Sequence, residues 1–305
     1  MEELLAEYVR GGLVESKHFG HLLAVSSSGE EVLLKGDPDA LIYPRSAFKS
    51  IQASAMARHG LVQEIRHLAL VCASHSGTKA QQEGARAILQ SAGLNESHLR
   101  CVADRPLGVL ERKEWGDKEP LPIAMNCSGK HAGMLATCVV NGWPIDTYTD
   151  IEHPLQIAIK KELEDLSGEK ITQISVDGCG APTFALTLRG NTRMFHNLAK
   201  SEDPIHKQVV AACLAHPEIV AGVGRTDTDL MQKTPGLFLK GGAEGVQAAF
   251  MVDGRTVFFK VIDGADRAHQ VILQAAFEKL GVNINVTRPE VLGGGKPVGE
   301  IRAAL

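Results

Sequence analysis

The pattern of hydrophobic and polar positions near both ends of the chain is typical of β-strands joined by turns. Residues 4–36 are predicted to form strands, with a hairpin connection at residues 26–30, where serines and a glycine separate two apolar runs. Apolar runs at residues 246–252 and 256–262 are joined by Asp253-Gly254, a dipeptide that strongly favours a hairpin. The pattern therefore predicts β-hairpins near both ends of the chain.

Between these strands, several segments carry helix signals. Ala47, Ile51 and Ala55 form an apolar stripe with a four-residue period, and Gly60 stands where a C-terminal cap belongs. Further segments are opened by serine, threonine or proline, or closed by glycine. Helices are predicted at residues 46–59, 78–91, 154–166, 204–215, 226–233 and 265–280, and another ends at residue 140.

A short apolar run at residues 68–72 predicts a buried strand, and residues 171–176 predict a further strand; both end in polar loops. Loops between a buried strand and a helix are favourable places for functional groups. Residues 111–119 are charged and irregular, which predicts an exposed loop, and the glycine-rich residues 293–296 predict a flexible tail. The polar residues that follow the apolar runs are therefore the first candidates for chemistry.

Composition and length are those of a soluble globular protein. The chain has 305 residues, of which 44% are hydrophobic and 22% are charged. This length allows one large α/β domain spanning residues 1–305, either undivided or in two closely packed lobes. A net charge of -4 and an aromatic content of 5% give no sign of binding to nucleic acid or to an anionic membrane.

The N-terminal residues are acidic and contain no long apolar segment. Neither a signal peptide nor a transmembrane span is therefore predicted, and we expect a cytoplasmic location. The six cysteines lack the spacing of a secreted disulfide framework. In a reducing compartment they are core residues, metal ligands or catalytic thiols.

Ser46 and Lys49 form a Ser-x-x-Lys pair just inside the first predicted helix. Residues three apart lie on one face of a helix, and a partly buried lysine has a lowered pKa that lets it take a serine proton. The pattern is the nucleophile signature of penicillin-binding proteins and class A β-lactamases. From these two residues alone, an N-cap serine followed by an exposed lysine is the more common arrangement.

A second serine and a further lysine stand in comparable positions. Ser74 follows the apolar run at residues 68–72 and precedes a helix, where Ser76 or Thr78 could serve as the cap instead and leave Ser74 available. Lys260 lies inside an apolar strand, although lysines are rarely buried without a partner. It is either an edge-strand lysine that reaches water or a second base for a serine.

Two cysteines lie at similar turns. Cys127 and Lys130 have Cys-x-x-Lys spacing at a helix start, where the helix dipole and the lysine favour a thiolate. Cys179 follows a predicted strand, and with Cys127 it could share a zinc ion, although no spacing indicates a four-ligand structural site. Two buried, inert cysteines are the alternative. Asp177 is either a turn residue or a carboxylate that binds an α-amino group.

Taken together, these segments resemble the Rhizobium etli-type L-asparaginases, the asparaginase II or class 3 family. The resemblance covers residues 10–285, and its most specific part is the segment 126–133. The segments that carry it are, in order, Arg45-Ser-Ala-Phe-Lys49, Cys72-Ala-Ser-His-Ser-Gly77, Asn126-Cys-Ser-Gly-Lys-His-Ala-Gly133, Asp177-Gly-Cys-Gly180 and Phe259-Lys-Val-Ile-Asp-Gly264.

The resemblance implies hydrolysis of L-asparagine to L-aspartate and ammonia by a homodimer. It implies a serine β-lactamase/glutaminase-like fold of the α/β (α+β) type, with an antiparallel sheet flanked by helices. By position, the resemblance implies two Ser-Lys pairs, Ser46 with Lys49 and Ser74 with Lys260, and places Asp177 beside the metal, where it binds or orients substrate. It also implies a zinc ion held by Cys127, Lys130 and Cys179, for which Lys130 needs a strongly lowered pKa.

The expected mechanism is attack by Ser46 on the side-chain amide, with Lys49 as base and the Ser74–Lys260 pair activating water. Ser74 as nucleophile and Ser46 as relay is an equal alternative at this stage. Zinc is expected to position substrate, because the serines already supply a nucleophile. Three other classes remain open: a zinc amidohydrolase using metal-bound water, a β-lactamase-like acyl-transfer protein acting on peptides, and a non-catalytic metal-binding protein.

Overall fold

The computed structural model describes all residues, 1–305. The strands are β1 (Glu3–Arg10), β2 (Leu13–Val25), β3 (Glu31–Lys35), β4 (Leu41–Ile42), β5 (Ile174–Val176), β6 (Pro182–Phe184), β7 (Leu186–Thr187), β8 (Leu237–Gly242), β9 (Val246–Met251), β10 (Thr256–Val261), β11 (Glu290–Gly293) and β12 (Lys296–Ala303). The α-helices are α1 (Lys49–Arg58), α2 (Ile65–Val71), α3 (Lys79–Ser91), α4 (Val109–Trp115), α5 (Ser128–Asn141), α6 (Pro154–Ser167), α7 (Leu188–Lys200), α8 (Pro204–Ala215), α9 (Pro217–Val220), α10 (Thr226–Lys233) and α11 (His269–Lys279), with short 3-10 helices at Arg45–Phe48 and Glu96–His98.

An eight-stranded antiparallel sheet forms the centre of the fold. Its strands run in the order β11-β12-β1-β2-β10-β9-β8, and β3 pairs with β2 outside this path. The long strand β2 pairs with β1 and β10, so it joins the two ends of the chain. Strand β10 lies inside the sheet between β2 and β9, whereas β8 is an edge strand.

Helices cover both faces of the sheet. Successive side chains of a strand point to opposite faces, and both Phe258 and Phe259 of β10 are fully buried. Phe258 stacks on Phe195 of α7 and Phe259 meets the ring of His269 of α11, with ring centroids 6.0 and 5.0 Å apart. The sheet is therefore a layer between α7 and α11. The predicted α+β class, with an antiparallel sheet flanked by helices, is confirmed.

The prediction of a buried strand at residues 68–72 is wrong. This segment belongs to α2, which packs against α3, α5 and α8. The apolar run is buried as expected, but periodicity cannot separate a short buried strand from a buried helical turn. The predicted strand at 171–176 is confirmed only for β5. Residues 111–115 of the expected exposed loop belong to α4, none of whose side chains is buried.

The predicted flexible tail is also wrong. Strands β11 and β12 form a hairpin, and β12 pairs with β1 at the edge of the main sheet. Gly294 and Gly295 form the turn with φ of 58° and 77°, a conformation that glycine adopts without strain. Consecutive glycines in this segment therefore mark a turn.

A cluster of charged side chains ties α1, which carries Lys49, to α6 and α8. Arg58 of α1 donates two hydrogen bonds to Glu162 of α6, each 2.9 Å long. His206 of α8 lies 2.6 Å from the same carboxylate. Burial raises the pKa of Glu162, but the hydrogen bonds from His206 and Arg58 outweigh it and lower the pKa to about 2.

We expect Glu162→Ala to lower the free energy of unfolding by about 2 kcal/mol. Breaking a buried ion pair costs about 3–5 kcal/mol, and the 39% exposure of the Arg58 side chain lets water offset part of this cost. Urea denaturation followed by circular dichroism measures the change. Glu83→Ala is the control, because Glu83 forms only an exposed pair with Lys79. Equal losses in both variants would contradict the stabilising role of the cluster.

None of the helices combines the length and the hydropathy that a membrane span requires.

Candidate active site

Ser46 lies in the 3-10 turn that leads into α1. The residue before it, Arg45, has a φ of 51°, in the left-handed region that residues other than glycine seldom adopt. The Arg45 guanidinium donates to Oδ1 of Asp177 over 2.7 and 2.8 Å, which holds this strained residue in place. Ser46 is half-buried and lines a cavity, and its hydroxyl makes no hydrogen bond within the protein. It is therefore free to meet a ligand.

Ser74 is held between two buried lysines. The Lys49 ammonium donates to Ser74 Oγ at 3.0 Å and to the Ala73 carbonyl at 2.6 Å. The Lys240 ammonium donates to the same Ser74 Oγ at 3.0 Å. Thr78 caps α3 through a capping box with Gln81, so Ser74 is not needed as the cap. The structure thus forms a Lys-Ser-Lys chain.

The expected pairing of Ser74 with Lys260 is not formed. Lys260 donates to its neighbouring carbonyl, Val261 O, at 2.5 Å and lines a separate cavity with His21 and Glu244. It does not lie on an edge strand either, because β10 is paired on both sides. The lysine beside Ser74 is Lys240 of β8, which the sequence analysis missed. The sequence did contain a signal for Lys240. It stands in an apolar run and is followed by two glycines, a pattern that resembles the Lys-Thr-Gly strand motif.

Strand β8 comes close to the Ser46 segment because Gly242 has no side chain. A Cβ atom at this position would lie only 2.5 Å from the carbonyl oxygen of Pro44. Any larger residue would push the edge strand away from Ser46. The approach also brings Lys240, two residues earlier on the same face of β8, toward Ser74.

Lys240 has the titration behaviour of a base at neutral pH. Its burial and the nearby charge of Lys49 lower its pKa to about 7, against the opposing effect of Asp227. A fraction of Lys240 near one half is then a neutral amine at pH 7 and can accept a proton. The two lysines differ in their contacts, because only Lys49 also donates to the Cys127 thiol, over 3.0 Å.

The predicted metal ligands lie behind Lys49. Cys127 precedes α5, and Lys130 in the first turn of that helix donates to Cys179 Sγ at 3.1 Å. Contact with Cys127 and the charge of Lys130 lower the pKa of Cys179. Burial disfavours the charge of Lys130, but Cys179, Cys127 and Asp177 outweigh it and raise the pKa of Lys130. In this form Lys130 and Cys179 are an ammonium–thiolate pair.

His131 completes this buried group. Its Nδ1 lies 2.8 Å from the Tyr148 hydroxyl, which also accepts a hydrogen bond from the Arg100 backbone. Its other ring nitrogen, Nε2, is buried and has no partner. No cluster of three or more His, Cys, Asp or Glu side chains is arranged to hold a metal ion. A metal site here would thus depend on a lysine or on a shift of His131.

The structure brings seven of the eight predicted site residues into one region and leaves out Lys260. Lys49 links Ser74 to Cys127, Lys130 contacts Cys179, and Asp177 is paired with Arg45 next to Ser46. Arg225 was also not predicted, and its guanidinium donates to the Ser74 carbonyl at 2.8 Å. A cavity of about 560 Å³ opens beside both serines. The arrangement is suited to acyl transfer, because it supplies a free hydroxyl, a relay hydroxyl and two amines.

A family model described as L-asparaginase II matches residues 6–303 of the chain. A comparison with curated proteins finds no match.

Several solved structures share a distant likeness with the chain. A protein assigned as a β-lactamase from Bacteroides dorei DSM 17855 has a TM-score of 0.43 at 12% identity, covering 79% of this chain and 84% of the other. A mutant of simvastatin synthase (LovD) from Aspergillus terreus has a TM-score of 0.37 at 13% identity, with coverage of 86% and 88%. A β-lactamase from Desulfarculus baarsii DSM 2075 has a TM-score of 0.31 at 15% identity, covering 79% of this chain and 80% of the other. At these scores the likenesses assign no shared function.

Proposed function

Since the chain belongs to the L-asparaginase II family, we propose that it hydrolyses L-asparagine to L-aspartate and ammonia through a Ser-Lys centre. The observation that carries the proposal is the Ser74 hydroxyl held between the Lys49 and Lys240 ammonium groups, beside the free hydroxyl of Ser46. The finer assignment to the Rhizobium etli type is part of the same proposal and rests on the motifs around these residues.

The acylation step uses Ser46 as the nucleophile. Its Oγ attacks the side-chain amide carbon, and the neutral amine form of Lys49, one helical turn away, takes the hydroxyl proton. Ser74 contacts Lys49 and relays a proton to the leaving nitrogen. The carbon–nitrogen bond breaks, ammonia leaves, and an aspartyl ester remains on Ser46.

Deacylation needs a base for water. Lys240 suits this step, because a pKa of about 7 leaves much of it neutral at physiological pH. Lys240 takes a water proton through Ser74 while the water oxygen attacks the ester carbon. The ester bond breaks, the proton returns to Ser46 Oγ, and aspartate is released.

Asp177 is proposed to bind the α-amino group of the substrate. Its carboxylate has little exposure and already accepts from Arg45 and from the Gly178 backbone. The remaining oxygen, Oδ2, makes no hydrogen bond within the protein and can accept from an ammonium group. The Arg45–Asp177 ion pair therefore connects substrate binding to the strained backbone just before Ser46.

Zinc is proposed to bind at Cys127, Cys179 and Lys130. Two cysteine sulfurs and a buried, unpartnered His131 Nε2 are donors that zinc accepts. Lys130 fits this set only as a neutral amine, so the ammonium must lose its proton for the metal to bind. When bound, zinc would supply a positive charge that orients the substrate. The homodimer and the cytoplasmic location stay predictions.

Ammonia release from asparagine and glutamine, with and without a chelator, tests the proposal. We expect release from asparagine that persists in part after chelation, because the serines and lysines supply nucleophile and bases. Elemental analysis of the untreated and chelated protein shows whether zinc was present and removed. Release abolished by chelation but retained in Ser46→Ala would favour a metal-bound water as nucleophile. No release from either amide would overturn the amidase function.

A further inference from the structure

The cavity beside Ser46 and Ser74 is larger than a free amino-acid amide requires. Its volume of about 560 Å³ lies in the range of roughly 300–1,000 Å³ that takes drug-sized molecules. Such pockets are mostly apolar, whereas here only Leu107, Ala243 and Pro289 are apolar and the other lining residues are polar, charged or glycine. Size and polarity together suit a ligand with several polar groups along its length.

One end of the cavity lies far from the serines. Arg267 lines this end, and its Nε donates to Nε2 of His18 on β2 at 2.9 Å. Gly241 of the edge strand β8 lines the other end, beside Ser46 and Ser74, and three strand spacings separate β2 from β8. Three spacings correspond to about 14 Å, the length of about four extended residues. The cavity therefore runs from the edge strand along the face of the sheet that α11 covers.

The part of the cavity that extends to Arg267 lies on the side of the leaving group. Asp177, Cys127 and Cys179, which we propose to face the amino-acid half of the substrate, do not line it. The two substituents of an amide carbonyl point away from each other. If the aspartyl half points to Asp177, the nitrogen and anything attached to it point into the cavity. This step rests on the proposed function.

The distal wall presents a charged group without an acidic partner. The Arg267 guanidinium lies over the Tyr8 ring, 4.6 Å from its centroid, and forms no salt bridge, so both terminal nitrogens are available. A peptide that reaches this end offers the terminal carboxylate that these nitrogens would bind.

We propose that this cavity is a subsite for a leaving amine larger than ammonia, a short peptide joined through its amino nitrogen to the aspartyl side chain, with Arg267 binding its C-terminal carboxylate. Ser46 Oγ forms an ester with the aspartyl carbon, and the bond to the peptide nitrogen breaks. The peptide leaves with the proton relayed by Ser74. Water then cleaves the ester, giving aspartate and a free peptide.

A panel of β-aspartyl oligoglycines with one to four glycines tests the proposal, each made with a free C-terminal carboxylate and with a C-terminal amide. We expect the peptides to be hydrolysed, with kcat/KM rising with length and about tenfold higher for the carboxylate at three or four glycines. In Arg267→Gln this preference for the carboxylate should fall to about onefold. Arg255→Gln, at a half-buried arginine paired with Asp253 outside the cavity lining, is the matched control and should retain it.

L-Asparagine is assayed in the same series to separate this inference from the proposed function. Hydrolysis of asparagine without release of any peptide would overturn the subsite and leave the asparaginase proposal standing. A preference for the carboxylate that survives in Arg267→Gln would also overturn it. Hydrolysis of the peptides but not of asparagine would support the subsite and refute asparagine as a substrate. Hydrolysis of neither would overturn both.

Discussion

Replacing Ser46 by alanine is expected to lower kcat for asparagine by about 10⁵-fold and to abolish formation of an acyl-enzyme. Ser46 has the free hydroxyl at the cavity wall, whereas Ser74 is already engaged by Lys49 and Lys240. Ammonia release measures the rate. Mass spectrometry of the protein, quenched during turnover and digested, locates the adduct.

Ser74→Ala is expected to behave differently. Loss of a proton relay costs about 10²–10⁴-fold, and the adduct should still form on Ser46. Ser50→Ala is the matched control, because Ser50 follows Lys49 in α1 and its hydroxyl is buried without a partner. An adduct on Ser74 would reverse the roles of the two serines. An adduct on neither would exclude covalent catalysis.

The second large effect is expected at Lys240. In the native protein kcat, which includes deacylation, should rise with pH through a midpoint near 7 and level off above it, because Lys240 activates the deacylating water and has a pKa of about 7. Below the midpoint the ammonium cannot accept a proton, and above it the neutral amine can. Lys240→Arg places a permanently charged group beside Ser74, so kcat should fall about 10²–10⁴-fold and the rise near pH 7 should disappear.

Lys260→Arg is the matched comparison for this profile. Lys260 is half-buried on β10 and contacts neither serine, so its variant should keep the rise near pH 7. A profile that is flat in Lys260→Arg and unchanged in Lys240→Arg would restore the Ser74–Lys260 pair. The two variants therefore decide which strand lysine acts at the site.

The choice of Lys260 instead of Lys240 shows which part of the site could not be predicted from the sequence. Lys260 pairs with Val246, which pairs with Gly242, so Lys260 and Lys240 lie on the same face of the sheet. Both also stand in apolar runs. What separates them is the order of the strands, since β8 lies against the Ser46 segment and β9 separates it from β10, and strand order depends on contacts between distant parts of the chain.

Local patterns indicated which other residues come together in the structure. Ser74, Cys127 and Asp177 each follow a short apolar or strand segment, and the structure places all three near Lys49 or Ser46. The position of Ser74 was predicted although α2 was mistaken for a strand, because either element would deliver its last residue to the same loop. The contact of Lys49 with Ser74 rather than with Ser46 depends on tertiary packing and could not be read from spacing.

The pairing of β2 with β10 has a consequence for how the chain folds. Val25 lies opposite Thr256, and Gly20 opposite Val261, so the centre of the sheet joins segments more than two hundred residues apart. Closing such a long loop is slow, and β1 and β2 must wait during synthesis until β10 has been made. Lys240 on β8 joins the sheet through that same late step. We therefore expect the nascent chain to expose the apolar side chains of β2, which makes them a natural contact for chaperones.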